Sequence, residues 1–279
     1  MIAKPLRLLW IGLILSAWLN GCGREADVAF PSVPTDPAPA DTVPWVGSPD
    51  NATAMPPVLG TERSIGSVTT YGGVSDSVPS SGGACNYGAT GILNYAAIDV
   101  NMLPGDALGQ WQGGRICGQC AQVEARTAEG IKTTVVRIVD KCPDANCGID
   151  LGGRPAKALM GDRPGRYSGA WKWVSCEGQA DVSDGAPSLF VKEGSNPYWA
   201  LVQVRNPPGA VLSMAWSSEG GSGVFAYATE AENFFKVPQQ ILGATGPVTL
   251  AIAFSFGSPL QVTLSAAQLA AAGAVYPLE

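Results

Sequence analysis

The sequence has no histidine, and only 14% of its 279 residues are charged. Without imidazole, Ser-His-Asp and Cys-His nucleophile chemistry is excluded, and the commonest zinc ligand is missing. Any proton transfer must run on carboxylates, tyrosine, lysine or the backbone. Basic residues are scarce as well: 17 Lys and Arg against 23 Asp and Glu give a net charge of −6. A nucleic-acid partner needs a positive footprint, so that class is excluded too. The apolar stretch Leu8 to Leu19 is too short for a comfortable transmembrane helix. The chain is rich in glycine (35) and proline (22), with 46% hydrophobic residues. That composition fits a turn-rich, exported β protein better than a helical bundle or a cytosolic enzyme.

Residues 1–22 read as a targeting segment, with Lys4 and Arg7 ahead of the apolar run. Leu19-Asn20-Gly21-Cys22 resembles a bacterial lipobox, which makes Cys22 the expected lipidation site. An ordinary cleaved signal with a stray cysteine is the alternative. Acyl chains on Cys22 would anchor the chain firmly to a membrane. The expected location is the cell surface or outer membrane, or the medium if the chain is released. Gly23 rather than Asp after Cys22 favours outer-membrane sorting in a diderm bacterium. Residues 23–64 hold eight prolines among Ala, Asp, Thr and Ser without apolar periodicity, the pattern of a disordered tether. At about 3.1 Å per residue such a tether reaches up to about 120 Å.

Setting Cys22 aside leaves Cys85, Cys117, Cys120, Cys142, Cys147 and Cys176, an even set in an exported chain and so three expected disulfides. Cys117-Gly-Gln-Cys120 has redox or zinc spacing, but export and the missing histidine argue against both readings. All six lie within residues 65–180, which read as one stapled domain of short strands. Thr133 to Val139 is a β-branched strand, Ala121 to Arg126 its partner across an Ala128-Glu129-Gly130 turn, and Arg154 to Met160 a helix. A polar break at 177–187 precedes a second domain, 186–279, read as a small β-sandwich. Its strand-length segments are Ser188–Glu193, Trp199–Arg205, Val211–Trp216, Gly223–Tyr227, Val248–Phe254 and Leu260–Leu264. No helix is expected there before the alanine-rich stretch near Gln268. The two halves show no internal repeat. A monomer without metal or cofactor is the expectation.

Two carboxylates stand out: Asp140 at the end of the Thr133–Val139 strand, and Asp150 ten residues on in Gly148-Ile149-Asp150-Leu151-Gly152. On spacing alone two readings stay open. A close pair of carboxylates can make a sugar-directed general acid, because each raises the pKa of the other. Alternatively Asp140 and Asp144 form turns and Asp150 is a structural hydrogen-bond acceptor.

Several motifs then resemble, in order, those of expansins. They are Ala84-Cys85-Asn86-Tyr87-Gly88, Cys117-Gly118-Gln119-Cys120, Val139-Asp140-Lys141-Cys142-Pro143 and Ile149-Asp150-Leu151, with Thr69-Thr70-Tyr71 similar to the family's opening strand. In the second half Phe190 to Ser195 and Tyr198 to Asn206 resemble the start of the microbial expansin second domain. The resemblance spans about residues 66–265. It implies a mainly β fold, a six-stranded double-psi β-barrel followed by an immunoglobulin-like β-sandwich, forming one open groove for a polysaccharide. It also implies non-hydrolytic loosening of cell walls, with Asp150 as the essential carboxylate and Asp140 and Thr70 as its groove neighbours. The implied disulfides are Cys85–Cys117, Cys120–Cys176 and Cys142–Cys147. In family 45 glycoside hydrolases, which share the barrel, an inverting mechanism needs a second carboxylate as base. Here that position falls at Thr70, so hydrolysis is expected to be absent or very weak unless Asp140 or Asp76 substitutes.

Glucan chains present flat apolar faces that stack on aromatic rings. Tyr198 and Trp199 match two platform positions of microbial expansins, and Tyr71 lies in the barrel part of the groove. The third platform position holds Glu232, with Phe234 as the expected substitute two residues on. Trp111, Trp171, Trp173 and Trp216 are expected to pack. The expected partner is cellulose, xyloglucan or a related glucan. With a net charge of −6, stacking rather than electrostatics should govern that binding. Two other classes remain: a peptidoglycan lytic enzyme resembling rare lipoprotein A, which shares the lipobox and barrel pattern, and a weak endoglucanase.

Overall fold

The computed structural model describes residues 63–75, 78–100, 110–144 and 147–279. The targeting segment with Cys22, nearly all of the tether, and Asp76 lie outside the described residues.

The first half is a closed barrel. Its elements in chain order are β1 (Ser64–Thr70), β2 (Tyr95–Asp99), β3 (Cys120–Thr127), β4 (Gly130–Cys142), β5 (Ile149–Leu151), α1 (Gly153–Met160) and β6 (Tyr167–Val174). The strands close in the order β1-β5-β2-β4-β3-β6, with β1/β5 and β2/β4 parallel and the other pairs antiparallel. The β3–β4 hairpin turns at Ala128-Glu129, ahead of the β-branched run Thr133 to Val139. Gly130, at φ 108, takes up the backbone conformation that the tight connection requires. Val68, Ile98, Val123, Val136, Ile138, Ile149, Leu151 and Trp171 fill the interior, and α1 closes it with Ala156 and Leu159.

Among the described residues three disulfides staple this half, in the pairs the resemblance implies. Cys85–Cys117 ties the 3-10 turn Gly83–Cys85 to the segment ahead of β3. Cys120–Cys176 joins the start of β3 to the chain after β6, and Cys142–Cys147 closes the loop between β4 and β5.

The second half is a sandwich of two sheets. Its elements are β7 (Ser188–Val191), β8 (Leu201–Arg205), β9 (Val211–Ser218), β10 (Gly221–Val224), β11 (Ala226–Tyr227), β12 (Phe235–Lys236), α2 (Gln239–Leu242), β13 (Val248–Phe254), β14 (Leu260–Leu264), α3 (Ala266–Leu269) and β15 (Val275–Pro277). One sheet runs β10-β9-β13-β14 and the other β11-β12-β8-β7-β15. Strand β13 shows the driving pattern: Val248, Leu250, Ile252 and Phe254 point inward while their neighbours are half-exposed. They pack against Leu189, Val202, Val204, Met214 and Trp216.

Three sequence expectations change here. The Gly223–Tyr227 segment is not one strand: it divides between β10 and β11, which belong to different sheets. The short helix α2 follows Pro238, whose fixed φ starts a helical turn that apolar periodicity is too short to reveal. Phe235–Lys236 and Val275–Pro277 form strands too brief for an alternation signal.

Candidate functional site

Asp150 lies midway along β5, and the register places it in a row across four strands. It pairs laterally with Thr69 on β1 and Ala97 on β2, and Ala97 pairs in turn with Asp140 on β4. Laterally paired residues share a face of the sheet, so Asp140, Ala97, Asp150 and Thr69 present one line of side chains. Two strand spacings of about 4.8 Å put the Cα atoms of the two aspartates roughly 10 Å apart. A bulge makes this row. The β2–β4 register slips between Ala96 and Ala97, which pair with Ile138 and Asp140. Val139 is therefore the extra residue, and without the slip Val139 rather than Asp140 would face Ala97.

The hydroxyl that serves Asp150 is that of Thr69, not Thr70. Thr69 Oγ1 donates to Asp150 Oδ1 at 2.6 Å. Thr70 pairs with the fully buried Leu151, and its Oγ1 is itself buried with no hydrogen-bond partner. The assignment of Thr70 as groove neighbour is corrected by the two-residue period of a strand, which turns adjacent side chains to opposite faces.

Burial is the largest influence on Asp150 and raises its pKa above the ordinary carboxylate value. The Thr69 hydrogen bond and the Arg166 charge oppose the rise, while Asp144 and Asp140 add to it. Arg166 is itself paired with Asp144 at 2.7 Å. Asp140 has different surroundings: its Oδ1 accepts the backbone N–H of Ala84 and of Lys141, each at 2.8 Å. The Gly83–Cys85 turn lies so close that a Cβ on Gly83, at φ 44, would stand 2.5 Å from Asp140 Cγ. Tyr71 continues the row's end. It is half-buried, edge-on to Tyr95 at 6.0 Å, and its phenol is pushed well above its usual range, first by burial and then by Asp140, Tyr95 and Asp150.

The aromatic positions differ among themselves. Asn196 and Trp199 exchange both backbone hydrogen bonds, so Pro197 and Tyr198 form the tip of a two-residue turn rather than part of a strand. Tyr198 is 83% exposed. Trp199 is half-buried against Leu201, Ala228 and Phe234. Phe234 is corrected from binding residue to core: it is only 3% exposed and packs under Phe190 and Trp199. Its backbone N–H reaches back to Ala231 O, so the segment is a turn and the same-face argument for an extended chain fails. The expected packing tryptophans Trp111, Trp171 and Trp216 are buried, and Trp173 is half-buried.

Glu232 has a use that sequence reasoning missed. Its carboxylate takes the Trp111 indole N–H at 3.3 Å and Lys141 Nζ at 3.1 Å, both from the barrel. The surrounding seam is polar. Gln203 and Asn233 side chains both donate to Cys85 O at 2.9 Å, and Asn86 donates to Glu232 O at 3.0 Å. Arg137 donates to Pro207 O and Gln119 accepts from Ala210 N–H. One signal was present: Gln203 is a lone polar residue in the apolar run Leu201–Val204, and it is fully buried.

Cys142, Cys147 and Asp150 are the only group of metal-ligating types drawn together among the described residues. The two sulfurs are bonded to each other, which leaves a single carboxylate and no donor set for an ion.

No family model matches the chain, and no curated protein matches it. Among solved structures it is similar to the apo expansin of Clavibacter michiganensis, with 21% identity and a TM-score of 0.57. That match covers 77% of this chain and 95% of the other. An Asp-to-Asn variant of the Clavibacter michiganensis expansin in complex with cellohexaose matches over the same shares, with 20% identity and a TM-score of 0.56. The barrel followed by the two-sheet sandwich is the fold of an expansin.

Proposed function

We propose that the chain binds a β-glucan such as cellulose across the face carrying the Asp150 row and loosens polysaccharide contacts without cutting them. The observation that carries this reading is the row's composition. Asp150, a half-buried acid with a raised pKa, faces a hydroxyl on one side and a methyl group on the other. A raised pKa suits it to donate to a sugar oxygen. Inverting hydrolysis needs a second carboxylate with a water between the two. Asp140, beyond Ala97, has one oxygen already committed to two backbone donors. Tyr198 offers a flat face for stacking. The cellohexaose bound to the similarly folded expansin supports a cellulose-type ligand. An exported monomer, held at the cell surface through Cys22, completes the proposal.

A second reading, a weak endoglucanase, is favoured by one observation: Asp140 stands in the same row as Asp150, separated by a single strand. Tensile weakening of cellulosic paper, run beside a reducing-end assay and a cellulose pull-down, decides between the two. The wild type should weaken paper without releasing reducing ends, and Asp150→Asn should bind cellulose but leave the paper intact. Normal weakening by Asp150→Asn would remove Asp150 from the mechanism. Reducing ends that disappear in Asp140→Asn would replace the non-hydrolytic reading with the endoglucanase.

A further inference from the structure

Away from the carboxylate row, one cavity gathers charged groups that the glucan surface does not use. Its volume is about 270 Å³, and its lining includes Arg137, Arg205, Asp184, Thr90, Ser188 and Asn206, none of them in the row. The volume is just under the range of drug-sized pockets, which suits a single sugar-sized ring.

The charges are unbalanced. Arg137, on β4, is 1% exposed. Its guanidinium donates to the carbonyls of Val182, Gly118 and Pro207 and to the Ser183 hydroxyl, never to a carboxylate. Arg205, at the end of β8, lies 3.7 Å over the centre of the Phe190 ring. Its Nε is buried and has no hydrogen-bond partner. Neither arginine is in an ion pair among the described residues. The one carboxylate in the lining, Asp184, already accepts the Gly91 N–H at 2.7 Å. Two guanidiniums against one carboxylate leave an excess positive charge, in a chain whose net charge is −6.

A guanidinium N–H shielded from water and left without an acceptor, as at Arg205 Nε, is costly. A carboxylate relieves that cost best, because its two oxygens match the fork of a guanidinium. Ser188 and Asn206 add a hydroxyl and an amide to the lining, the groups that hydrogen-bond sugar hydroxyls. We propose that this cavity binds a carboxylate-bearing sugar residue, a hexuronic acid, at a site separate from the glucan surface. The choice of a sugar rests on the glycan-binding reading above; the demand for an anion does not.

Calorimetric titration of the full chain with trigalacturonate, beside cellotriose, acetate, a short peptide with a free C-terminus and cellohexaose, tests the proposal. Trigalacturonate should bind, and cellotriose should not compete with it. Arg205→Gln keeps a planar group on Phe190 without the charge and should weaken trigalacturonate binding about tenfold or more. Asp184→Asn keeps the acceptor for Gly91 and removes the opposing charge, so it should strengthen binding several-fold. That second variant decides the matter if Arg205→Gln does not fold. Neither variant should alter cellohexaose binding. The proposal is overturned if trigalacturonate fails to bind, or if both variants bind it like the wild type. Displacement by acetate at equal concentration would mean an adventitious ion only, and preference for the peptide would assign the cavity to a protein terminus; either also overturns it. Loss of cellohexaose binding alone would count against the glucan surface and leave this site standing.

Discussion

The barrel and the sandwich solve the same packing problem by different means. The barrel carries all three disulfides seen among the described residues, and its strands include a bulge, short segments and mixed parallel and antiparallel pairs. The sandwich has no cysteine and pairs its described strands antiparallel throughout; β13 alternates cleanly in and out, although its register with β9 also shifts between Ala253 and Phe254. The stapled half holds the carboxylates, and the cysteine-free half presents a ring on a turn. Within the stapled barrel it is the bulge at Val139 that aims Asp140 into the row with Asp150.

The largest effects should come from removing each half's own support. Replacing Cys120 and Cys176 by serine reopens a loop with a sequence separation of 56. In the chain-entropy account this costs about 4 kcal/mol. Leu250→Ala, in the centre of β13, should cost about 2–5 kcal/mol through lost burial and a residual cavity. Urea unfolding followed by tryptophan fluorescence checks both, since Trp171 reports from the barrel core and Trp216 from the sandwich core. A reductant should then lower wild-type stability about as much as the double serine change or more. The contrast between the halves breaks if Leu250→Ala costs less than about 0.5 kcal/mol, the scale of a surface change.

How much of this was legible in the sequence follows the same division. The strands Val248–Phe254 and Leu260–Leu264 stand where alternation puts them, because a sandwich strand with one buried face writes its period into the chain. The disulfide pairs followed from the resemblance rather than from spacing. The candidate site was half-readable. Asp150 was singled out by its motif, but Thr70 was named as its neighbour where the structure has Thr69, since a one-residue error in strand phase flips the face. The bulge at Val139 and the turn that buries Phe234 leave no periodic mark. Glu232 looked like a missing aromatic, and only its distances to Trp111 and Lys141 reveal its bonds to the barrel.

A middle-sized effect sharpens the view that the barrel's site is held at some expense to stability. The pKa of Asp150 is raised in the folded state, chiefly by burial. Above that pKa the folded protein carries a poorly solvated charge; below the unfolded value near 3.9 both states are protonated and the penalty is gone. The wild-type fold should therefore lose stability as pH rises through the window between the two values. Asp150→Asn can still accept from Thr69 and carries no charge. Its melting temperature should exceed the wild type's at pH 7, with the gain shrinking as pH falls toward 3.5. An equal gain at both pH values would show that the charge is not the cause.

The smallest expected effect concerns salt, and it separates the two surfaces more finely. Of the rings proposed to meet the glucan the most exposed is Tyr198, and Lys141, next to Asp140 in the chain, is already paired with Glu232. Stacking on an uncharged polymer has no long-range Coulomb component to screen. Cellulose retention should change by less than about twofold between 50 and 500 mM NaCl, where the Debye length falls from above 10 Å to below 5 Å. Trigalacturonate binding at the arginine cavity should weaken over the same series, because there a charge meets a charge. A steep loss of cellulose binding would move the glucan contact from rings to Lys and Arg side chains.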